Sequence, residues 1–326
     1  MALQDDPLGG KSGLVLTLSG DGTTGLAHID VLETLAEHGI PVRAVVGSSI
    51  GAEIGAFMAS GMPLAELVEL ATAFNWKQTL QLFMPDLPTG GFVSGKKIMD
   101  YLNTELGVFN IESLPMGFAA ITTDLDTGEL VVLDRGSLVD AVRASISLPE
   151  LIAPHHIGDR WLVDGSVLNP VPFDVARDRF GGPVLAVAVY SAVRGRVRQP
   201  AALLPPQSRQ LPLRLKQLLR QPWMARARGL EEWLQAQLDN HRKTQDKKQW
   251  WTARRVLDQV LAITQAEIVR LRSAANPPDL MLVPDVGGIG ALEFFRGKEA
   301  IAAGRTAAEE KIGEIRGLLA GQDLPA

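Results

Sequence analysis

Cysteine is absent from the 326 residues, which excludes disulfides, cysteine nucleophiles and thiolate metal sites and leaves the redox compartment open. Histidine is scarce, at five, so chemistry that needs an imidazole base has few candidates. No apolar run approaches the ~18 residues of a membrane-spanning helix, which rules out an integral helical membrane protein. The opening Met1–Gly13 holds Asp5 and Asp6 and lacks a basic region and an apolar core, so no secretory signal is expected. No internal repeat is present. A net charge of −5 argues against bulk nucleic-acid binding. What is there is ordinary globular material, 46% apolar and 21% charged, enough for one large α/β domain or a domain with a sizeable insertion.

The mean charge hides an asymmetry. Residues 191–275 carry 17 Lys/Arg against 6 Asp/Glu, a net of +11, which leaves the remainder at −16. Ser191–Gly229 has nine basic residues and no acid, and Trp223, Trp233, Trp250 and Trp251 also fall in the segment. It reads as a compositional insertion in an acidic α/β chain.

Outside it, short apolar runs alternate with helical patterns. Leu14–Leu18 and Val42–Val46 read as buried strands, with Ile29, Leu32, Leu35 and Ala36 on one face of a helix stopped by Gly39. A small-residue helix from Ile50 to Gly61 and a helix Leu64–Phe74 follow. Phe118–Thr122 and Leu130–Leu133 look like strands of a hairpin turning at Asp126–Thr127–Gly128. Ser137 can cap a helix over Leu138–Ser147, which Pro149 ends. Trp161–Val163, Val184–Val189 and Leu280–Val283 are further strands, and Lys298–Leu319 is a last helix. The β-α-β-α opening implies a mainly parallel sheet with helices on both faces.

Two glycine loops stand out. Gly20-Asp21-Gly22-Thr23-Thr24-Gly25 follows the first strand and opens a helix. A dinucleotide fingerprint should be followed by an acid at the end of the second strand, but that strand ends in Gly47-Ser48-Ser49. Gly10-Lys11-Ser12 precedes the first strand, the wrong side for a phosphate loop. The other reading is an oxyanion hole, with backbone N–H groups exposed at a helix N-terminus. The second loop, Gly47-Ser48-Ser49-Ile50-Gly51, fits G-x-S-x-G between a strand and a helix, the setting of a nucleophile elbow. Alone, it also fits a small-residue turn with a capping serine.

A serine nucleophile needs a base. His241 is the histidine placed well beyond an acid in the Ser–acid–His order, and it sits inside the basic insertion. His28 lies on the helix after the glycine loop, where a structural role competes with a catalytic one. His155 and His156 read as loop residues. Asp164-Gly165 directly follows the strand Trp161–Val163, which would present the carboxylate at a sheet edge, although a lone Asp-Gly is also a common turn.

The ordered set of strand, glycine loop, helix, Gly-x-Ser-x-Gly and a later Asp-Gly resembles the patatin-like phospholipases, in particular the bacterial branch related to the neuropathy target esterase catalytic domain. The resemblance covers Leu14–Ser60 and Phe118–Val189 and resumes at Pro278–Ala308 with Pro284-Asp285-Val286-Gly287-Gly288-Ile289-Gly290. It implies a three-layer α/β/α hydrolase fold and hydrolysis of acyl esters by a Ser–Asp dyad. Ser49 would be the nucleophile and Asp164 the general base. Gly20, Asp21 and Gly22 would form the oxyanion loop, with Gly25, Gly47, Gly51 and Gly165 supporting the motifs. It implies no cofactor and no metal. Three positions depart from the family's habit: Asp21 where glycine is usual, Thr24 where a basic residue is usual, and Asp-Gly-Ser in place of Asp-Gly-Gly or Asp-Gly-Ala.

These readings give an N-terminal tail 1–11, a catalytic core 12–190, a basic helical insertion 191–275 and a C-terminal part of the core 276–326. Trp250–Arg272 has helical apolar spacing and is expected to dock on the core. Residues 191–238 combine Leu211, Leu215, Leu218, Leu219 and Trp223 with Arg214, Lys216 and Arg220, which suits either an anionic membrane surface or a linker or protein contact. The expected function is lipid acyl-ester hydrolysis of phospholipase A or lysophospholipase type. A general carboxylesterase or thioesterase, or a weakly catalytic lipid-binding regulator, is the alternative. The expected partner is the lipid or acyl-ester substrate, with no nucleic acid. The expected location is the cytoplasm, with peripheral contact at the inner membrane face.

Overall fold

The computed structural model describes residues 12–73, 93–189, 253–287, 289, 293 and 296–320. Strand β1 (Leu14–Leu18) leads through a 3-10 turn (Gly22–Leu26) into helix α1 (Ala27–Glu37), then β2 (Val42–Ser48), α2 (Ile50–Ala59) and α3 (Leu64–Ala73). After these come α4 (Lys96–Leu106), β3 (Gly117–Asp124), β4 (Leu130–Leu133), α5 (Leu138–Ser145), β5 (His155–Ile157) and β6 (Arg160–Asp164). The last elements are α6 (Phe173–Phe180), β7 (Val184–Val187), α7 (Ala253–Ala275), β8 (Leu280–Leu282) and α8 (Gly297–Leu319). His241 and residues 191–252 of the basic insertion lie outside the described residues.

The strands form one sheet in the order β5-β6-β3-β2-β1-β7-β8, with β4 paired to β3. From β3 through β8 along that order every pairing is parallel, while β4 and β6 run antiparallel to β3 and β5 antiparallel to β6. Both faces are covered. Leu14, Leu16 and Leu18 pack with Leu32 of α1, Ile54 of α2 and Ile301 of α8. Val15, Val46 and Ala119 face the other way, onto Phe173 and Ala176 of α6 and Val269 of α7. Alternate residues of one strand thus feed two cores, each fully buried leucine adding about 1.5–3 kcal/mol, and the result is a three-layer α/β/α fold.

The register of β3 positions the candidate site. β4 takes one edge of β3, from Ala120 to Thr123. β2 and β6 share the other edge end to end: Ser48 stands opposite Ile121 and Asp164 opposite Thr122. The two strands therefore run toward each other and stop at adjoining rungs. Asp164 is the last residue of β6, opposite Thr122 of β3 and past the rungs that β5 makes with β6, and in place of an open sheet edge the carboxylate finds a buried position. His155 and His156, read as loop residues, belong to β5, paired with Leu162 and Trp161. Their short strand escapes notice because three residues hold no periodic pattern.

Candidate active site

Ser49 is the one residue between β2 and α2, at φ 56° and ψ −129°. A serine in that region costs about 1–3 kcal/mol and persists only where its surroundings impose it. They do so from two sides. The Ser49 N–H donates to Ser145 Oγ at 2.9 Å, and Ser145 Oγ donates to the carbonyl of Ile121 at 2.7 Å, tying the turn to α5 and β3. A Cβ on Gly47 would strike the backbone of Gly51 and Ala52, and one on Gly51 would strike the carbonyls of Leu18 and Ser19. The chain can turn this sharply only because both positions lack a side chain. The Ser49 side chain makes no capping hydrogen bond to α2, so the capping role that the sequence left open is not the one observed.

Asp164 is 1% exposed. Its Oδ1 accepts from the Ser166 N–H at 2.8 Å and the Ser166 hydroxyl at 2.6 Å, whereas Oδ2 is buried with no hydrogen-bond partner. Burial raises the pKa of the carboxyl, and the Ser166 and Ser49 hydroxyls pull it back. Ser49 thus lies close enough to Asp164 to favour the ionised form without meeting strict hydrogen-bond geometry. The Asp164 N–H donates to the carbonyl of Ser147. Ser147 is held in turn by the buried Arg143 guanidinium, which also donates to the carbonyls of Ser94 and Ala153. Gly165 lies so close to the carbonyl of Ile121 that a Cβ would overlap it.

The glycine loop sits beside the elbow. Asp21 is held at φ 110° and Gly22 at φ 59°, and the space a Cβ on Gly25 would need is filled by Ile50, the residue after Ser49. Thr24, where a basic residue was the family expectation, is buried and its hydroxyl donates to the carbonyl of Asp21 at 2.8 Å, fixing the loop internally. His28 is fully buried and its Nε2 donates to the carbonyl of Ser19 at 2.9 Å. Burial lowers its pKa to about 4, so it is neutral at pH 7 and anchors the start of the loop. His155 is bound to Asp140, and His38 to Glu309 and Arg316, so neither is turned to Ser49.

Sequence reasoning missed Ser145 and Gln265, and it marked Ser166 only as the departure in Asp-Gly-Ser, with no role. Gln265 reaches from α7 to donate to the carbonyl of Ser166 at 3.2 Å. Hydroxyl and amide groups of this kind follow no spacing rule, and only the strand register reveals them. Glu53, one turn past Ser49 on α2, was also passed over; burial of its carboxyl pushes its pKa up to about 7, although part of the residue still meets solvent. Among the described residues no group of three or more histidines, aspartates and glutamates could hold a metal ion, and no helix is long and apolar enough to cross a membrane.

Fold and site together define an α/β/α protein with a strained serine at a strand–helix elbow and a buried aspartate at the neighbouring rung. The chain belongs to the patatin-like phospholipase family, which it matches over residues 16–177. An uncharacterized NTE family protein of Mycobacterium tuberculosis is 35% identical over 185 residues, covering 57% of this chain and 51% of that protein. A second from the same organism is 31% identical over 304 residues, covering 92% and 46%. Neuropathy target esterase of Drosophila melanogaster is 33% identical over 183 residues, covering 54% and 13%. The chain spans about half the length of the mycobacterial relatives it matches. The crystal structure of VipD from Legionella pneumophila superposes with a TM-score of 0.46 at 14% identity, over 93% of this chain and 67% of that one.

Proposed function

We propose that the protein is a serine hydrolase of lipid acyl esters, of phospholipase A or lysophospholipase type, acting through Ser49 and Asp164. The observation that carries the reading is the adjoining register of β2 and β6 on β3, which sets a strained serine beside a buried carboxylate with one oxygen uncommitted. An aspartate is a weak base for an alcohol, and a dry site that raises its pKa brings it nearer to the task. In this scheme Asp164 takes the Ser49 proton as Oγ attacks the ester carbonyl. The negative oxygen settles against the loop Gly20–Gly22, each preorganised donor being worth about 3–4 kcal/mol. Collapse returns the proton to the leaving alcohol and leaves an acyl-serine. Water, deprotonated by the same aspartate, then releases the fatty acid.

Labelling by a fluorophosphonate probe, followed by turnover on a panel of phospholipids, lysophospholipids, simple esters and thioesters, tests the reading. Labelling with release of fatty acid from phospholipid or lysophospholipid is the expected result. Turnover confined to small esters or thioesters would move the assignment to a general esterase, and no labelling at all would point to a non-catalytic lipid-binding protein.

Asp21 supplies a prediction of its own. Its left-handed backbone costs an aspartate about 1 kcal/mol more than a glycine, and its charge lies in the loop that would receive the oxyanion. Asp21→Gly is expected to keep or raise turnover, with an unchanged or higher melting temperature. A marked fall would show that the carboxylate orders the loop or takes part in catalysis.

For location, the proposal is cytoplasmic, with residues 191–238 making peripheral contact with the inner membrane face; this segment lies outside the described residues and its support is the charge count alone. Three or four basic residues near an anionic surface contribute ~1 kcal/mol each, against a remainder of net −16. Co-sedimentation is expected with anionic but not neutral liposomes, weakening with salt, and lost when Arg214, Lys216, Arg220, Arg226 and Arg228 are changed to Gln. Equal binding to both liposome types would leave the segment as a linker or protein contact.

A further inference from the structure

We propose that Ser166 is the positioning residue of the Asp164 carboxylate: its hydroxyl and amide clamp one carboxylate oxygen and so leave the other to Ser49. The inference rests on the dyad reading above and assigns a residue that reading does not use. Ser166 is 3% exposed and directs two donors at the same oxygen, Oδ1, from N–H at 2.8 Å and from Oγ at 2.6 Å. Two bonds from one residue to one oxygen stop the carboxylate from rotating, and the uncommitted Oδ2 is the consequence.

The direction of the hydroxyl chain follows from elementary chemistry. An ionised carboxylate can only accept, so Ser166 Oγ must donate its hydrogen to Asp164. Ser166 therefore has only lone pairs left for Ser48 Oγ, 3.3 Å away, and Ser48 is the donor in that contact. Ser48 to Ser166 to Asp164 is then a one-way relay in which each bond polarises the next. The relay starts on the residue just before the nucleophile, so it joins the elbow to the base through side chains as β3 joins them through backbone. Gln265 of α7, 5% exposed, closes the set by donating to the Ser166 carbonyl. The Asp-Gly-Gly or Asp-Gly-Ala usual in the resemblance would supply the amide donor alone; this chain adds a hydroxyl.

The electrostatics agree with the geometry. Burial pushes the Asp164 pKa up, and the Ser166 hydroxyl is the largest of the influences that pull it down, ahead of the Ser49 hydroxyl and the Ser166 amide. The charged groups on the surrounding elements, Glu53 on α2, Asp124 on β3, Arg143 on α5 and Arg160 on β6, are not among the causes of its shift. A base that is ionised above its folded pKa works on the alkaline side of that value, so losing the hydroxyl must move the acidic limb of the rate profile upward.

The experiment measures kcat/KM against pH on a soluble p-nitrophenyl ester for the full chain, with Ser166→Ala, Ser166→Thr and Ser48→Ala alongside. Ser166→Ala is expected to raise the midpoint of the acidic limb by about one pH unit, which lowers the rate about tenfold on the acidic slope and by less on the alkaline side, with KM unchanged. Ser166→Thr keeps the hydroxyl and is expected to restore the wild-type limb. Ser48→Ala is expected to shift it in the same direction by less. A limb that stays in place in Ser166→Ala, whether or not the rate falls uniformly, overturns the proposal and leaves Ser166 a structural residue. Asp164→Asn separates this outcome from failure of the dyad itself: if that variant is inert and the Ser166→Ala limb does not move, only the role of Ser166 is lost. If Asp164→Asn still turns over, the dyad falls first.

Discussion

Ser49→Ala and Asp164→Asn are each expected to lower kcat/KM for ester hydrolysis by at least ~10⁴-fold while the protein stays folded. Removing Oγ removes the atom that bonds the acyl group. Changing the carboxylate to an amide leaves shape and volume almost intact but takes away the acceptor for the serine proton. Because both residues act in a single step, the double variant should lose little more than either alone. Folding should survive for different reasons at the two sites. Burial raises the pKa of the Asp164 carboxyl, so folding disfavours its ionised form, and a neutral amide is free of that cost. Ser49→Ala inherits the same strained φ and makes no new overlap. The readouts are steady-state turnover, fluorophosphonate labelling and the thermal midpoint, and near-wild-type turnover in either variant would sink the dyad. The described histidines offer no substitute base, since His28 is fixed on the Ser19 carbonyl, His38 on Glu309 and Arg316 and His155 on Asp140, while the exposed His156 lies on β5 with its ring against Trp161. His241 is the remaining rival. If it were the base, His241→Ala would cost ~10³-fold or more, and a change too small to matter is the expected result.

The parts of this arrangement that the sequence discloses are those enforced over a few residues. Gly47 and Gly51 stand out because a strand-to-helix reversal in one residue leaves no room for two Cβ atoms, and that constraint is written within five positions. The buried strands and the faces of α1 and α2 are legible for the same reason, as local periodicity. The meeting of Ser49 with Asp164 is of another kind. It depends on β6 entering the sheet antiparallel to β3 and halting one rung short of β2, and no local pattern encodes that register. The family resemblance joins the two residues without saying how. Polar support was the least visible of all: Ser145, Ser147, Ser166 and Gln265 are ordinary residues until folding sets them against the Ser49 N–H, the Asp164 N–H, the Asp164 carboxylate and the Ser166 carbonyl. Thr24 illustrates the converse. Read in sequence it is a missing positive charge, whereas in the fold it holds the Asp21 carbonyl and so keeps the loop shaped.

Gly51→Ala sets two effects against each other, and their magnitudes decide the outcome. Gly51 lies in the first turn of α2 with a backbone angle any residue can adopt, so propensity alone favours alanine by up to ~1 kcal/mol. The added methyl, however, would fall onto the Leu18 carbonyl and within 2.7 Å of the Ser19 oxygen. These are backbone atoms at the end of a central strand and cannot swing aside as a side chain would. Overpacking of this sort costs about 1–3 kcal/mol, often more where backbone must move. The steric term wins, and net destabilisation of about 1–2 kcal/mol is expected. Activity should suffer more than stability. The relief available is for the start of α2 to withdraw from β1, which carries Ser49 away from the glycine loop, and a displacement near 1 Å between reacting groups costs on the order of 10²-fold. Gly313→Ala, on α8 where a Cβ meets nothing within 4 Å, is the matched control and should raise the melting temperature slightly without touching turnover. If Gly51→Ala behaves like that control, with full activity and a higher melting temperature, the close packing of elbow on glycine loop is not what positions Ser49.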